Sequence, residues 1–526
     1  MTDIFKNSLE KNYMKTVSIE HRKQFAQFFT PKPIVQFMNE WILGNKHLKN
    51  VLEPAMGLGI FSRELLLRKS DISIKSFEID KTICDIAVKY FSKYKNVSIN
   101  LQDYMYNDWK NKYDGIICNP PYFKFHDYDN KSILKEMETR LNCKLNGFTN
   151  LYTLFLLKSI HQLSPNGRLA YIVPSEFLNS DYGKLVKTYL VKTKTLKHII
   201  VVNFEENVFD DALTTASIIL CANDNKTDKV KFTEVKNIND LLRVKDLIYS
   251  YPSSKKEHLY SFSELDPSVK WKNYYQKQNS SDYKNLVPFT KYAKVMRGIA
   301  TGANDYFAFN LSKARQYSIN EKYLLPCMCK SMTVKHLFFM KSDFEKLKQQ
   351  DKDIFLLNVS NSDDSNVVKY LKLGQKQGID KRYLTASRNP WYSLENRPPA
   401  PIWVSVFNRS GLKFVRNEAN ISNLTTFHCI YPSRDTLFSQ TDVDLLFAYL
   451  LTDTARKIFV DNSREYGNGL QKFEPNDINS GKMLDISLLN AKNKNNILRL
   501  YQEYKETQEQ SFIDSINDIL INNYKI

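Results

Sequence analysis

Four consecutive residues, Asn119, Pro120, Pro121 and Tyr122, combine types that could act on a bound ligand. They follow an apolar run that ends at Cys118 and is typical of a buried strand. The strand must stop there because proline cannot donate to a sheet ladder. The two prolines then stiffen the turn and fix the directions of the Asn119 and Tyr122 side chains. A rigid amide beside an aromatic ring, at the carboxyl end of a strand, lies where open α/β sheets place their ligand crevice.

A glycine-bearing turn, VLEPAMGLGIFS at residues 51–62, follows one predicted strand and precedes a predicted helix. Gly57 and Gly59 would let the backbone approach a ligand closely, and Glu53 could hold a cationic or hydroxyl-bearing group. Two glycines are a weak signal, because a simple strand-to-helix turn explains them equally well. The turn therefore indicates a ligand site only in combination with other motifs.

Two acidic residues end the next two predicted strands. Glu78 lies about 20 residues after the glycine turn, the spacing at which a carboxylate accepts the ribose hydroxyls of a bound nucleotide. Asp103 ends a further strand, where an ordinary surface acid is the alternative interpretation. Both carboxylates are candidate ligand contacts.

The elements that must position these residues are visible as short apolar runs alternating with amphipathic stretches, from about residue 45 to 220. The predicted strands are residues 50–52, 73–78, 98–101, 114–118, 168–173, 198–203 and 215–221. Helical patterns lie between them, for example at residues 81–91 and 151–163. This alternation predicts an α/β domain with a doubly wound, mostly parallel sheet.

The pattern changes beyond about residue 245. The polar stretch from Ser250 is interpreted as a linker or a loosely packed entry to a second domain, and residues 342–376 as a polar insertion. The stretch from about Asn490 is typical of helices. At 526 residues the chain is too long for one ordinary core, so we expect two domains. The predicted domains are residues 1–245 and residues 246–526.

Charge and cysteine content indicate which class of partner the protein binds and in which cellular compartment it is expected. Lys and Arg outnumber Asp and Glu by 75 to 57, and the net charge of +18 favours DNA or RNA over a membrane surface as the partner. A merely basic soluble protein is the alternative. Seven scattered cysteines and eight histidines without a cluster predict neither a disulfide framework nor a metal site. Because no apolar leader or span is evident, we expect a cytoplasmic protein.

Taken in order, these motifs closely resemble those of S-adenosylmethionine (SAM)-dependent amino-methyltransferases. QFFTPKPIVQFM, residues 27–38, precedes the glycine turn, which is the arrangement of the gamma class, typified by the TaqI-like enzymes. The resemblance is strong over residues 20–222 and looser beyond them, where MRGIATGAND and EYGNGLQKFEPNDI resemble segments of target-recognition regions. It implies a Rossmann-like methyltransferase domain, a C-terminal α+β target-recognition domain, and the role of a type II restriction–modification methylase.

The resemblance also implies a role for each residue that matches a family motif. Thr30 and Pro31 are implied to contact the methionine part of SAM, and Glu53, Ala55 and Gly59 its methionine and ribose. Glu78 would accept the ribose hydroxyls, Asp103 would contact the adenine amino group, and Phe155 would pack on the adenine ring. Asn119 is also an implied cofactor contact. The implied catalytic residues are Asn119, Pro120, Pro121 and Tyr122, with Phe209 as a second aromatic that touches the target base.

These roles imply methyl transfer to the N6 amine of adenine in double-stranded DNA. That amine is a poor nucleophile because its lone pair is delocalised into the ring. Two fixed acceptors, the Asn119 side chain and the Pro120 carbonyl, would draw its hydrogens into a geometry that localises the lone pair, and the sulfonium-activated methyl could then be attacked in line. The base must first leave the duplex and be held by stacking.

Several alternatives stay open at this point. The same acceptors suit cytosine N4, and positive charge serves RNA as well as DNA. A methyltransferase acting on protein glutamine would not need a large basic second domain, and a silent DNA-binding protein would not retain every motif. We expect a monomer without a fused nuclease, so that any cognate restriction endonuclease is a separate chain.

The second half offers softer signals. Arginines interleave with aromatic residues there, namely Arg297, Arg388, Arg397, Arg409 and Arg416 with Trp391, Trp403, Phe407 and Phe414. Arginine can bind guanine edges or phosphate, and aromatic rings can stack on bases. For any one of these residues a core or solvated position is the simpler interpretation, so the sequence identifies a region and no set of base contacts.

Overall fold

The computed structural model describes residues 9–124, 127–145, 147, 149–203, 215–252, 259–359, 364–408, 412–433, 440–466 and 470–526. The chain divides into two compact units. The first unit comprises Met1–Lys277 and Glu465–Gly469, and the second comprises Gln278–Arg464 and Leu470–Ile526. No helix among the described residues is long and apolar enough to cross a bilayer.

The first unit is built from alternating helices and strands. Its helices are α1 (Leu9–Thr16), α2 (Ile19–Gln24), α3 (Lys32–Leu43), α4 (Ile60–Arg68), α5 (Lys81–Phe91), α6 (Asn130–Leu141), α7 (Leu151–His161), α8 (Glu176–Asn179), α9 (Gly183–Thr193) and α10 (Ile238–Tyr249). Its strands are β1 (Asn50–Glu53), β2 (Ser73–Glu78), β3 (Val97–Leu101), β4 (Tyr113–Cys118), β5 (Leu163–Pro174), β6 (Leu196–Val202), β7 (Ala216–Ala222), β8 (Lys229–Val235) and β9 (Leu259–Ser261).

These strands form one sheet in the order β3-β2-β1-β4-β5-β7-β6-β8-β9. The pairs from β3 through β5 are parallel, and β7 runs antiparallel to both of its neighbours. The chain order reverses between β1 and β4, which is the switch point where α/β sheets open a crevice beyond their carboxyl ends. The predicted doubly wound, mostly parallel sheet is confirmed.

Helices cover both faces of this sheet. Within β4, Ile116 contributes to the core beneath α6, α7 and α9, while its neighbour Ile117 contributes to the core beneath α3, α4, α5 and α10. Strands buried on both faces have no polar side, so β7 and the second half of β6 are almost continuously apolar. The sheet is thus a rigid platform whose strand ends hold the candidate residues.

The polar stretch that starts at Ser250 belongs to the first unit as far as Lys277, over its described residues 250–252 and 259–277. β9 pairs antiparallel with β8, and the fully buried Trp271 ring packs edge-on against Phe232 at 5.6 Å between centroids. The interpretation of residues 259–277 as a linker is therefore wrong. A few aromatic residues in a polar background were enough to attach the segment to the core.

The second unit mixes helices with smaller sheets. Its helices are α11 (Asn304–Phe307), α12 (Leu311–Gln316), α13 (Lys341–Gln349), α14 (Ser365–Lys376), α15 (Tyr383–Ala386), α16 (Gln440–Leu450), α17 (Asp453–Val460), α18 (Pro475–Asn479), α19 (Ala491–Thr507) and α20 (Gln510–Tyr524). Its strands are β10 (Leu286–Pro288), β11 (Ala293–Arg297), β12 (Ala308–Phe309), β13 (Leu324–Met328), β14 (Phe338–Phe339), β15 (Phe355–Leu357), β16 (Ile402–Ser405), β17 (Phe407–Asn408), β18 (Phe414–Asn417), β19 (Ser422–Asn423), β20 (Phe427–Pro432), β21 (Arg464–Tyr466), β22 (Leu470–Lys472) and β23 (Lys482–Leu484). Of β21, only Arg464 is counted in this unit.

The central sheet of this unit has the order β11-β20-β16-β18-β14 and is mainly antiparallel. Its two faces bury separate cores, because Ile402 packs with the helices of residues 440–524 and Trp403 packs with β13 and β15. The predicted α+β architecture and the predicted C-terminal helices are confirmed. Residues 342–376 do not form a polar insertion, since Phe344 and Tyr370 are buried in the second of these cores.

Candidate active site

A cleft with a cavity volume of about 120 Å³ opens at the carboxyl ends of β1 to β4. The predicted residues that line it are Thr30, Glu53, Ala55, Glu78, Asp103, Asn119, Pro121 and Phe155. Parallel strands end at the same edge of a sheet, so residues scattered over more than a hundred positions meet there. The strand ends bring Glu53, Glu78 and Asn119 together, while Thr30 precedes α3 and Phe155 lies on α7.

Four predicted residues lie beside the cleft without lining it, namely Pro31, Gly59, Pro120 and Tyr122. Gly59 begins α4 in the left-handed region, with φ of +70°. A Cβ at this position would come within 2.6 Å of the Phe91 ring, so the glycine is required by the turn itself. The remaining predicted residue, Phe209, lies outside the described residues.

The glycine turn and Glu78 are joined by the backbone. The Glu78 carboxylate accepts hydrogen bonds from the N–H groups of Gly57 at 2.9 Å, Ile79 at 2.8 Å and Asp80 at 3.0 Å. Burial raises the pKa of Glu78, and these backbone donors oppose that effect. The carboxylate is thus locked at the end of β2 and forms one wall of the cleft.

Glu53 is fully buried at the end of β1. Its Oε2 accepts bonds from the backbone N–H of Ser62, at 3.2 Å, and from the Ser62 hydroxyl. Its Oε1 is buried and has no hydrogen-bond partner. Burial raises the pKa of Glu53 to about 8. A buried acceptor that faces a cleft without a partner indicates that a ligand donor belongs there.

Asn119 shows the same kind of incomplete bonding. Its side-chain nitrogen donates to the Phe28 carbonyl at 2.8 Å and to Thr30 Oγ1 at 3.1 Å, which ties the end of β4 to the segment before α3. Its Oδ1 is buried and has no partner. The amide therefore presents an unused acceptor at the wall of the cleft.

Tyr122 packs among aromatic rings rather than standing open. The Phe28 ring stacks on it at 5.7 Å with an 18° tilt, and Tyr152 meets it edge-on at 6.2 Å. Its hydroxyl donates to the Ile172 carbonyl at 3.4 Å. Burial raises the pKa of Tyr122, so the phenol stays neutral. One face of Tyr122 is thus already paired with an aromatic ring.

The loop after β3 is anchored by the buried amino group of Lys158. Asp103 Oδ1 accepts from the N–H of Met105 at 2.8 Å, which closes a turn. Lys158, fully buried on α7, donates to the carbonyls of Tyr104 and Asn107, and its Nζ lies 4.4 Å from the centroid of the Trp109 ring. The same helix carries Phe155, one turn earlier, at the cleft. Desolvation lowers the pKa of Lys158 to about 7.

Sequence reasoning missed three contributors to this site. Phe28 supplies both a carbonyl and a ring, Lys158 fastens the Asp103 loop, and Asp80 accepts from Gln27 Nε2 at 2.6 Å and pairs with His21 Nε2 at 2.9 Å. Burial raises the pKa of Asp80, but the bonds from His21 and Gln27 help to hold it below its ordinary value. A lysine within the apolar stretch of α7 was the one visible signal, because a buried charge requires partners.

The arginines and aromatic rings of the second half are mostly structural. Arg416 is buried and pairs with Asp444 at 3.2 Å, and the Arg388 guanidinium donates to the backbone carbonyl of Thr301 at 2.9 Å. Trp403 and Phe414 lie in the cores. Of this set, Arg409 lies outside the described residues. The simpler interpretation of these residues is confirmed for the buried ones.

Comparisons with known proteins agree over both units. Residues 16–209 match the family described as Eco57I restriction-modification methylase, and residues 272–521 match the family described as Type II methyltransferase M.Eco57I, C-terminal domain. The chain is 65% identical to Type II methyltransferase M.AccI of Acinetobacter calcoaceticus, over 99% of this chain and 97% of that protein. It is 22% identical to Type II methyltransferase M.XamI of Xanthomonas campestris pv. amaranthicola, over 88% of this chain and 86% of that protein.

Solved structures share the fold. DrdV, solved as a complex with DNA, superposes with a TM-score of 0.55 at 13% identity, over 94% of this chain and 58% of that chain. A nuclease-deletion mutant of the Type ISP enzyme LlaGI, bound to a DNA substrate mimic, gives 0.53 at 13% identity, over 91% and 54%. This chain thus spans little more than half the length of either. The cleft, the motifs along its edge and the match to M.AccI lead to one assignment: the chain belongs to the type II methyltransferases of restriction–modification systems.

Proposed function

We propose that this enzyme transfers a methyl group from SAM to the N6 amine of an adenine extruded from double-stranded DNA. The observation that carries the proposal is the unpaired Oδ1 of Asn119, a buried acceptor at the wall of the cleft. An amine donates hydrogens and requires an acceptor of this kind. The adjoining carbonyl of Pro120 is the second acceptor that we assign to the amine.

The residues of the cleft fit a SAM molecule. Glu53 Oε1 is a buried acceptor without a partner, suited to the ammonium or a hydroxyl of the cofactor. We assign the ribose hydroxyls to Glu78, which the backbone already orients, and the adenine to Asp103 and Phe155. When bound, SAM supplies an electrophilic methyl on a sulfonium. The protein contributes orientation and a dry site.

Within this proposal Asn119 and Pro120 are the residues that activate the target amine. Their oxygens accept the two hydrogens of the target amine, so that the nitrogen lone pair turns out of conjugation and toward the methyl. Tyr122 lies directly after them and would hold the extruded base by stacking. No covalent enzyme intermediate is needed, and the buried thiol of Cys118, whose pKa burial raises, takes no part.

DNA binding has a candidate surface in the second unit. Lys369, Lys372 and Lys376 recur at helical spacing along α14 and are exposed, and Lys381 and Arg382 follow them. We call these five residues the basic face. Together with the net charge of +18, the basic face supports a polyanionic partner. We assign it to DNA phosphates, which position a duplex without specifying its sequence.

The direct test is to incubate the enzyme with unmethylated genomic DNA and SAM labelled in the methyl group, and to identify the labelled nucleoside after digestion. We expect N6-methyldeoxyadenosine. Label in N4-methyldeoxycytidine would retain the mechanism and change the base. An absence of label in DNA, with label in RNA offered in the same assay, would overturn the proposal.

Two further features belong to the same proposal. The restriction endonuclease that acts at the same site would be a separate chain, and the methyltransferase would act as a monomer, since one chain supplies the whole cleft. Mass photometry of the enzyme with a duplex that holds one site checks the second point. A stoichiometry of two enzymes per site would contradict it.

A further inference from the structure

The Asn119 side-chain amide has only one orientation that its surroundings permit. The atom that lies 2.8 Å from the Phe28 carbonyl oxygen must be the nitrogen, because a carbonyl oxygen can only accept. The same nitrogen lies 3.1 Å from Thr30 Oγ1. An amide nitrogen carries two hydrogens, and these two acceptors use both. Oδ1 must therefore point away from both acceptors, and it is the buried atom without a partner.

Thr30 is held as firmly as the amide that it contacts. It is 1% exposed, and the next residue, Pro31, has a ring-locked φ of −58°. The Pro31 carbonyl accepts from the N–H groups of Ile34 and Val35, at 3.0 Å each, and so begins α3. Because the apolar face of α3 is buried against the sheet, the Thr30 hydroxyl cannot drift from the end of β4.

We propose that Thr30 is a positioning residue for methyl transfer, whose hydroxyl oxygen fixes the Asn119 amide so that Oδ1 faces the target amine. The proposal rests on the proposed function. It differs from the role that the family resemblance implies for Thr30, a contact with the methionine part of SAM. Without the Thr30 acceptor, only the bond to Phe28 remains, and the amide can turn about it. Oδ1 then spends less time aligned with the amine.

The test compares substitutions that separate the hydroxyl from the shape of the side chain. Thr30→Val keeps the shape and removes the hydroxyl, whereas Thr30→Ser keeps the hydroxyl. The measurements are the single-turnover rate of methyl transfer to unmethylated DNA at saturating SAM, the Kd for SAM by calorimetry, and the melting temperature. We expect Thr30→Val to slow transfer about tenfold, the loss of one hydrogen bond, with the Kd within about twofold. Thr30→Ser should retain the rate within about threefold.

Three results would overturn the positioning role. A weakened Kd with a normal rate at saturation would show that Thr30 acts on the cofactor. Equal slowing by Thr30→Ser and Thr30→Val would assign the effect to the methyl group, and an unchanged Thr30→Val rate would show no role. Should Thr30→Val not fold, Thr30→Ala removes the same hydroxyl and carries the same expectation.

The wild-type enzyme separates this proposal from the proposed function. If wild-type enzyme labels no base amine, the proposed function fails, and the positioning role fails with it. If it labels a base amine and Thr30→Val transfers at the wild-type rate, only the positioning role fails.

Discussion

The buried polar side chains at the cleft of the first unit and the buried Arg416 in the arginine-rich region of the second differ in how they are bonded. Glu53 and Asn119 each leave one buried oxygen without a partner at the wall of the cleft, whereas the charge of Arg416 is met by Asp444 inside the protein. A group whose bonds are complete holds the fold. A buried group that lacks a partner, at a cavity wall, marks the place of a ligand. Residue type alone does not separate these two cases.

The largest effect should follow from removing the unused amide acceptor. Asn119→Ala should lower the single-turnover rate of methyl transfer by about 10²- to 10³-fold, because an acceptor aimed at the reacting amine is lost. The Kd for SAM should stay within about threefold, since the cofactor is assigned to other residues. Calorimetry on folded protein checks this point, and a lost affinity for SAM would reassign Asn119 to cofactor binding.

Arg416→Met should act on stability and not on chemistry. Removing the cation that faces Asp444 and donates to the Pro401 carbonyl at 2.9 Å should cost about 2–4 kcal/mol in free energy of unfolding. Methyl transfer at 25 °C should stay within about twofold. The matched control is Arg297→Met, because the Arg297–Glu474 pair is largely exposed at the arginine and should contribute less than about 1 kcal/mol. A comparable loss of unfolding free energy in both variants would contradict the distinction between a buried and an exposed ion pair.

Glu53→Gln should weaken SAM binding about 10- to 100-fold, since a charge-assisted contact in a buried site is lost. Glutamine retains an acceptor for Ser62, so the fold should survive. In the wild type, burial raises the pKa of Glu53 to about 8, so the ratio of the variant Kd to the wild-type Kd should rise as pH rises from 6.5 toward 8.5. Calorimetric titrations of both proteins at each pH check this ratio, from which the titration of the amino group of SAM cancels.

The raised pKa of Glu53 also predicts how the stability of the protein changes with pH. The carboxyl is protonated in the folded state and ionised in the unfolded state between about pH 4.5 and pH 8, so the folded state binds more protons and unfolding becomes easier as pH rises. Glu53→Gln should therefore gain stability relative to wild type over this window, by at most about 1.4 kcal/mol per pH unit. A difference in melting temperature between the variant and the wild type that stays constant over this pH range would contradict the raised pKa of Glu53.

The smallest effect should come from the basic face. Lys372→Glu together with Lys376→Glu should weaken DNA binding several-fold and reduce its salt dependence, because phosphate contacts release counterions. Lys482→Glu with Lys492→Glu changes the net charge equally at exposed positions outside the face. Fluorescence anisotropy over a salt series distinguishes the two pairs. Equal losses would mean that net charge, and no particular surface, governs affinity.

Local sequence patterns predicted the strand ends that line the cleft but not the hydrogen bonds that hold their side chains in place. The strand ends at Glu53, Glu78 and Asn119 were visible because apolar runs stop at polar residues, and the parallel sheet then brings them together. The bond between Asn119 and Phe28 joins residues 91 positions apart through a backbone carbonyl, which has no side-chain signature. Residues 342–376 were misjudged because two buried rings, Phe344 and Tyr370, anchor a mostly charged segment.

The buried amino group of Lys158 has a consequence for the thermodynamics of cofactor binding. Its bonds to the carbonyls of Tyr104 and Asn107 are made within the chain and order the loop that carries Asp103. A loop that is already ordered loses little conformational entropy when a ligand docks on it. The entropic penalty of SAM binding at this wall should therefore be small, and Lys158→Met should shift the binding entropy toward unfavourable values more than it shifts the enthalpy.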